Sequence, residues 1–416
     1  MVKEKINYGY LIGYFSLFLF LPPFIGLPLV LFLVWKKKNL NFSDYLLLIF
    51  CIAIYMGAIN ATKAPNGDQV NYYVAYTNVP SVGFIKSLIY IYGLDLLSDP
   101  GKTSISGEFM NGVYNYFGYY LTFGYYPLFA ALYTFVEYLM IYLGLYKVFR
   151  KAQMPKYPIV CGIIILSFFY LFFQYTLHIQ KQFFAQSIMM YVLGSYAEKG
   201  KMSWKLWLIA LCAIFTHAST ALFLPFLVFK PLRGRLTKKW LLFIGFMLFL
   251  FILYGPRMAE NVASNNSGVA GYGMKRFAES EGQADLASGL VMSQVLVIAV
   301  PMFMIVFRQL WIKRHVLIDK AQAFILNITF LLLLSVASMY SKPLAQYRYF
   351  MMLLAFMPFV YPFISSNVSK RNQWLMMISL VMVVWFYVQF EKIIWNYAPE
   401  WQIIAYPPFA LICIGF

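Results

Sequence analysis

Residues 321–340 read AQAFILNITFLLLLSVASMY, a run with no charged side chain. A helix of this length spans about 30 Å, the thickness of the hydrocarbon core of a bilayer. Comparable runs recur along the 416-residue chain, which is 62% hydrophobic, for example at residues 240–255 and 290–307. Because a helix satisfies its own backbone hydrogen bonds inside lipid, these runs predict an all-α polytopic membrane protein.

The chain length fits about 11–13 transmembrane helices in a single membrane domain over residues 1–416. The first apolar run, residues 8–35, is longer than the core of a signal peptide and ends in three lysines instead of a cleavage site. We therefore expect it to be the first span, with the N-terminus outside.

Basic residues show how the chain is threaded. The formal charge is +18, and most of the 33 Lys and Arg residues fall in six short clusters between apolar runs. Cytoplasmic loops carry an excess of Lys and Arg, so we place all six clusters inside. The positive charge is then a topological signal and predicts no nucleic-acid partner. The clusters are residues 36–38, 147–156, 199–205, 230–239, 308–320 and 370–371.

Two long outer loops follow from this threading. Residues 61–124 are rich in Tyr, Asn and Gly and contain apolar pieces that we expect to form interfacial helices. Residues 256–288 form the second outer loop. Loops of this length are uncommon as simple connectors and often carry function.

The stretch 204–229 has basic clusters at both ends, yet it is too short to cross a bilayer twice. We predict a re-entrant hairpin from the cytoplasmic side, bent near Thr216 and His217. One steeply tilted span is the alternative, but it would place residues 230–239 outside.

Ionisable side chains inside lipid are costly and usually functional. His178, Lys181, His217 and Arg348 lie within or beside apolar runs and gather towards the outer side, where Lys and Arg suit an anionic lipid headgroup. Structural roles stay open for each of them. Lys181 could snorkel to the interface, Arg348 could anchor an aromatic belt, and both histidines could be structural.

Two acids have similar alternatives. Asp68 follows Pro-Asn-Gly, which is typical of a turn leading into a helix cap. Glu137 lies inside an apolar run and could pair with one of the intramembrane cations. The chain has no Walker loop, no HExxH, no CxxC pair and no clustered carboxylates, so we expect neither a nucleotide cofactor nor a metal.

Four short motifs, taken in order, resemble the EpsG-like and Wzy-type polymerases of bacterial surface polysaccharides. One departure is that the family pattern usually has Arg where this chain has Lys181, which keeps the charge but loses bidentate geometry. The motifs are Asp68-x-x-x-Tyr72-Tyr73-x-x-Tyr76, Lys181-Gln182-x-x-Ala185, His217-Ala218-Ser219 and Tyr347-Arg348-Tyr349.

The resemblance implies a GT-C-like glycosyltransferase of the bacterial inner membrane. Such an enzyme joins undecaprenyl-diphosphate-linked oligosaccharide repeat units at the periplasmic face, without a cofactor, beside a flippase and a chain-length regulator. Arg348 and Lys181 would bind the diphosphate, and His217 or Asp68 would accept the proton of a sugar hydroxyl. The remaining substrate-binding positions would be Gln182, Tyr72, Tyr76, His178 and Tyr347.

Other functions stay open from the sequence. A flippase or transporter of lipid-linked sugars would expose polar residues to both faces and often shows inverted repeats, and no repeat is visible here. A transferase that uses a polyprenyl-phosphate sugar, with Asp68 as base, and a ligase acting on finished glycan are the further alternatives.

Overall fold

The computed structural model confirms the all-α architecture. It describes residues 6–37, 40–66, 68–99, 101–170, 172–174, 180–237, 239–247, 289–312, 318–338, 343–360, 370–390 and 397–415, with single positions 250, 254 and 261. Four helices within this part of the chain are long and apolar enough to cross a membrane. They are residues Phe42–Ala61, Tyr126–Lys151, Lys320–Ser338 and Asn372–Phe390.

The helices are numbered in chain order. They are α1 (Tyr8–Phe20), α2 (Pro23–Lys36), α3 (Phe42–Ala61), α4 (Asp68–Thr77), α5 (Val79–Ile89), α6 (Asp95–Ser98), α7 (Met110–Leu121), α8 (Tyr126–Lys151), α9 (Lys156–Ser167), α10 (Gln180–Lys199), α11 (Trp204–Thr216), α12 (Leu224–Val228), α13 (Gly289–Phe307), α14 (Lys320–Ser338), α15 (Pro343–Leu354), α16 (Met357–Val360), α17 (Arg371–Phe390), α18 (Glu400–Ala405) and α19 (Pro408–Cys413).

Helices α8 and α10 form the centre of the bundle and run in the same direction. The ring of Tyr133 stacks on Phe184 with centroids 4.0 Å apart, and further along the pair Lys147 lies 3.3 Å from Glu198. We call the end where α10 begins the Lys181 end and the opposite end the basic end.

Glycines allow the backbones of α8 and α10 to touch. A Cβ at Gly144 would lie 2.5 Å from the carbonyl oxygen of Met190, and one at Gly194 would lie 2.2 Å from the carbonyl oxygen of Gly144. Such distances are closer than atoms can pack. The two helices can therefore cross at this point only because both residues lack a side chain.

Helix α3 runs against α8. The Asn60 amide donates a hydrogen bond to the hydroxyl of Thr134 at 2.9 Å, whereas the Tyr45 hydroxyl donates to the backbone carbonyl of Tyr142 at 2.6 Å. Asp44, at the start of α3, forms an ion pair with Lys37. The charges at this end of α3, α8 and α10 thus lie together, as the positive-inside threading requires.

The first apolar run does not form one span, so the prediction for residues 8–35 is wrong. It divides into α1 and α2 at Pro22 and Pro23, where a proline lacks the N–H that a continuous helix needs. The N–H of Asn7 donates to the Ser43 hydroxyl at 2.9 Å. Residue 7 is therefore at the basic end, and the expectation of an N-terminus on the opposite side is also wrong.

The predicted bend near Thr216 and His217 is present. Helix α11 ends where His217 takes an extended conformation, with φ −154° and ψ 121°, and a 3-10 helix (Ala218–Phe223) and α12 follow. After α12 the chain returns to its starting side, because the guanidinium of Arg233 donates to the carbonyl of Gly200 at 3.3 Å. The stretch is thus a hairpin with His217 at its turn.

The segment 61–124 folds as helices α4 to α7 and packs onto the bundle. Tyr114 of α7 contacts both α10 and α11: its ring lies 5.0 Å from the ring of Phe184, and its hydroxyl lies 3.1 Å from the Thr216 hydroxyl. Because α7 contacts both α10 and the hairpin, residues that precede it reach the turn at His217.

Candidate functional site

Lys181 lies one residue inside the start of α10, with only 3% of its side chain exposed. Its ammonium donates to the Tyr92 hydroxyl at 2.5 Å and lies 4.4 Å from the centre of that ring. It also forms an ion pair with Glu108. A buried ammonium needs such partners, since an unpaired charge in a low-dielectric interior is strongly unfavourable.

Glu108 precedes α7 and connects Lys181 to the hairpin turn. Its Oε2 contacts Lys181, while its Oε1 accepts a hydrogen bond from the N–H of Ala218 at 3.0 Å. The Nε2 atom of His217 lies 4.0 Å from the same Oε1. We call these three side chains the Lys181–Glu108–His217 group.

His217 owes its position to the turn itself. Its Nδ1 accepts a hydrogen bond from the N–H of Ser219 at 3.3 Å and lies 2.7 Å from the Ser219 hydroxyl. The imidazole thereby caps the 3-10 helix that follows α11. The other ring nitrogen, Nε2, faces Glu108.

Burial and charge act in opposite directions on Glu108. Burial by itself would raise the pKa of the carboxyl, but His217, Lys181 and the N–H of Ala218 together hold the pKa below the ordinary glutamate value. Glu108 is therefore ionised near neutral pH, and its charge offsets that of Lys181. Of the three side chains, His217 is the most open, with 17% of its side chain exposed.

Three residues that were predicted to contact the substrate are buried in the protein. Tyr72 of α4 is buried and stacks on Tyr92 with centroids 6.1 Å apart, and Gln182 is buried beside Lys181. Tyr76 is fully buried, and its hydroxyl lies 2.5 Å from that of Thr122. The structure thus brings Tyr72 and Gln182 near the group and places Tyr76 in the packed core.

Arg348 and Tyr347 lie on α15, of which the backbone is described at these two positions. The Gln186 amide donates to the carbonyl of Met352 at 2.6 Å. After α15 the chain continues into α16, where Phe359 packs on Phe149 at the basic end. Helices α10 and α15 therefore run in the same direction. One turn before these contacts, the backbone of Arg348 lies level with Gln182.

The other predicted site positions are less fully defined. Asp68 begins α4, one turn before Tyr72, and its side chain is outside the described part of the chain. His178 lies outside the described residues, as does the loop 256–288 apart from residue 261. Their roles stay predictions.

Glu137 does not pair with any cation that the structure describes. Both of its carboxyl oxygens are buried on α8 and accept no hydrogen bond from the described residues. Lys181, one of the cations that the sequence offered as a partner, pairs with Glu108 instead. The side chains of Arg348 and His178 lie outside the described part of the chain, so a pairing of Glu137 with either of them stays a prediction.

Glu108 is the residue that sequence reasoning missed. It is separated by 73 positions from Lys181 and by 110 from Ala218, and no local motif surrounds it. One signal was available, since a cation predicted to lie in the membrane requires an acidic partner. The acids of the segment 61–124 were the nearest source of one.

The group has the chemistry for binding an anion and moving a proton. Lys181 and the N–H of Ala218 are donors, Glu108 is a carboxylate, and His217 is an imidazole that reaches the more open side. Within the described part of the chain, no three His, Cys, Asp or Glu side chains come together as a metal site would require.

A sequence model of a protein family, described as EpsG family, matches residues 68–406 of the chain. The chain belongs to the EpsG family. The matched range begins at Asp68 and includes Glu108, Lys181, His217 and Arg348, so every residue of the candidate site lies within the part that the EpsG family shares. No curated protein and no solved structure matches the chain.

Membership of the EpsG family makes this a membrane protein of polysaccharide synthesis. The family match is consistent with the resemblance drawn from the four sequence motifs, three of which centre on Asp68, Lys181 and His217. In the structure, two of these motifs meet at Glu108, although His217 and Lys181 lie on different elements.

Proposed function

We propose that this EpsG-family protein polymerises oligosaccharide repeat units carried on undecaprenyl diphosphate. A growing glycan on one lipid would be transferred to the non-reducing end of a single lipid-linked unit, and undecaprenyl diphosphate would leave. The observation that carries this proposal is the Lys181–Glu108–His217 group, which combines an ammonium, a carboxylate and an imidazole where the start of α10 meets the hairpin turn.

The residues of the group match what the reaction needs. A departing diphosphate requires positive charge, which Lys181 would supply together with Arg348 on the neighbouring α15. An attacking sugar hydroxyl requires a proton acceptor, for which Glu108, His217 and Asp68 are the available side chains. We expect these cations to do the work of a metal ion, so the transfer would need none.

The proposed location is the bacterial inner membrane, with the Lys181 end facing the periplasm or cell exterior. The charge distribution supports this orientation, because Lys37, Lys147 and Arg150 all lie at the basic end. Lipid-linked donor and acceptor would then reach the Lys181 end from the outer leaflet, with the bilayer, a flippase and a chain-length regulator as partners.

A deletion strain tests the proposed function. The strain lacking this protein should carry single repeat units on its surface, and the wild-type gene should restore the long polymer. A flippase would give the opposite result, since a strain without its flippase would display no repeat units at all. Surface glycan separated by size on a gel distinguishes the two outcomes.

A further inference from the structure

A diphosphate would need the positive charge of Lys181, and in the structure Glu108 already pairs with that charge. Lys181 is almost fully buried, and its ammonium contacts Tyr92 and the Oε2 atom of Glu108. With its charge offset by this carboxylate, Lys181 offers little attraction to a second anion. A diphosphate that binds Lys181 must therefore displace Glu108.

The two oxygens of Glu108 are held differently. Oε1 accepts the hydrogen bond from the Ala218 N–H at 3.0 Å and faces His217, whereas Oε2 contacts Lys181. Loss of the Lys181 contact would release Oε2 while Oε1 stayed fixed to the hairpin turn. The carboxylate would then remain in place with one oxygen available.

The proton arrangement of His217 favours Glu108 as the acceptor. A backbone N–H can only donate, so the bond from Ser219 requires a lone pair on Nδ1 of His217. The ring proton then lies on Nε2, which faces Glu108. In this tautomer the Nε2–H of His217 faces the carboxylate at 4.0 Å, and a proton could enter the ring only by breaking the cap at Nδ1.

We propose that Glu108 is the base of the transfer and that the diphosphate of the substrate exposes it by taking Lys181 from it. This proposal rests on the proposed function and assigns the step that removes the hydroxyl proton. Lys181 is the cation that passes from Glu108 to the diphosphate, and the Ala218 N–H is the positioning group that holds Oε1, which His217 faces from 4.0 Å.

The step balances without any further reactant. The oxygen of the acceptor hydroxyl forms a bond to the anomeric carbon of the donor sugar, and its proton passes to Oε2 of Glu108. The bond from that carbon to the diphosphate oxygen breaks, and its electron pair leaves with the diphosphate, which Lys181 holds. When the lipid diphosphate departs, Glu108 gives the proton to water and pairs with Lys181 again.

The exchange makes a prediction that a purely structural ion pair does not. In Glu108→Gln the amide is uncharged, so Lys181 keeps its positive charge for an anion. We expect this variant to bind inorganic pyrophosphate about tenfold more tightly than the wild type, a coupling typical of two linked sites. Without a base it should lose about 100-fold or more in polymer synthesis.

The test uses the full chain purified in detergent, with pyrophosphate binding measured by calorimetry and polymer measured in the complemented deletion strain. Asp95→Asn is the matched control, because Asp95 pairs with Lys102 at 3.4 Å in the same segment and both side chains are partly exposed. This control should leave both readouts unchanged. Glu108→Asp, which retains a carboxylate, should keep wild-type pyrophosphate affinity and part of the polymer.

Opposite effects of Glu108→Gln on the two readouts support the proposal. Weaker pyrophosphate binding together with lost polymer would show that Glu108 only holds the fold, and full-length polymer would show that it is not the base. Either result overturns the proposal. Failure of the proposed function would be seen separately, because the deletion strain would then display no repeat units at all instead of single ones.

Discussion

The Oε1 atom of Glu108 accepts a hydrogen bond from the N–H of Ala218 at 3.0 Å. This bond ties the segment before α7 to the hairpin turn, and the ion pair from the other oxygen to Lys181 ties both to α10. Three stretches that are distant in sequence therefore depend on one carboxylate. The consequences can be tested by changing its partners singly and together.

The single substitution Lys181→Gln should destabilise the protein more than the double substitution of Lys181→Gln and Glu108→Gln does. The single change leaves a buried carboxylate without its cation, at a cost of about 3–5 kcal/mol, whereas the double change leaves two neutral amides. Thermal unfolding in detergent measures the difference. If the double variant unfolds at a lower temperature than the single one, the two side chains are not coupled.

The partly exposed pair Lys102 and Asp95 provides the control for this comparison. Its atoms lie 3.4 Å apart at partly exposed side chains, where an ion pair contributes only about 0–1 kcal/mol. Lys102→Gln, alone or together with Asp95→Asn, should change the unfolding temperature little.

His217→Asn should keep the fold of the hairpin and lose most of the polymer. The side-chain oxygen of Asn can accept the hydrogen bond from Ser219 that His217 now accepts, and Asn is a favourable N-cap residue. It has no ring nitrogen to face Glu108. Expression level and melting temperature report the fold, and gel analysis of surface glycan reports the function; normal polymer would limit His217 to a capping role.

Acid should weaken the wild type through Glu108. Because its pKa in the folded chain is below the unfolded value, its stabilising effect is complete above the unfolded value and disappears as the pH falls through the folded one. We expect the melting temperature to decrease when the pH is lowered below about 4. In Glu108→Gln this part of the pH dependence should be missing, and an unchanged curve would contradict the assignment.

Gly144→Ala should loosen the crossing of α8 and α10. The new methyl group would meet the Met190 carbonyl oxygen at 2.5 Å, and overpacking of this kind costs about 1–3 kcal/mol. Gly13→Ala is the matched control, because a Cβ there meets no atom within 4 Å. The melting temperature should fall for Gly144→Ala alone; equal melting temperatures would show that the crossing tolerates a side chain.

Gln186→Leu tests whether α15 is held in place for Arg348. The substitution removes the hydrogen bond to Met352 at 2.6 Å and leaves a buried carbonyl without its donor, which costs about 1–3 kcal/mol. We expect shorter surface polymer as α15 shifts relative to α10. Ser379→Ala is a suitable control, since that hydroxyl donates to the Leu375 carbonyl of its own helix and contacts the Cys161 thiol of α9, neither of which belongs to α10 or α15. Equal polymer length in both variants would separate Gln186 from the site.

Much of the arrangement was predictable from charge and hydropathy. The basic clusters indicated that α8 and α10 run the same way, and the length of residues 204–229 indicated the hairpin, because both depend on the thickness and polarity of a bilayer. Pro22 and Pro23 lie inside an apolar run, and hydropathy alone does not show that a run turns back at its prolines. For this reason the sequence did not predict that α1 and α2 form a hairpin, in which Asn7 and Lys37 both lie at the start of α3.

The site was predictable only in part. Lys181 and His217 stand out because charged and titratable groups are rare in apolar runs. Glu108 lies in a polar segment where an acid is ordinary, and its importance arises from contacts over 73 and 110 positions. No periodicity or motif predicts such long-range contacts. The only available indication is that a buried cation requires an acidic partner.

The most direct test of the central claim is reconstitution of the purified chain in liposomes with lipid-linked repeat units. Mass spectrometry would then follow glycan length and released lipid diphosphate. We predict lipid-linked chains of two or more repeats with one lipid diphosphate released per linkage, and no elongation with Glu108→Gln. Single repeat units that remain unjoined in the presence of the folded wild-type chain, or elongation by Glu108→Gln at the wild-type rate, would contradict the account.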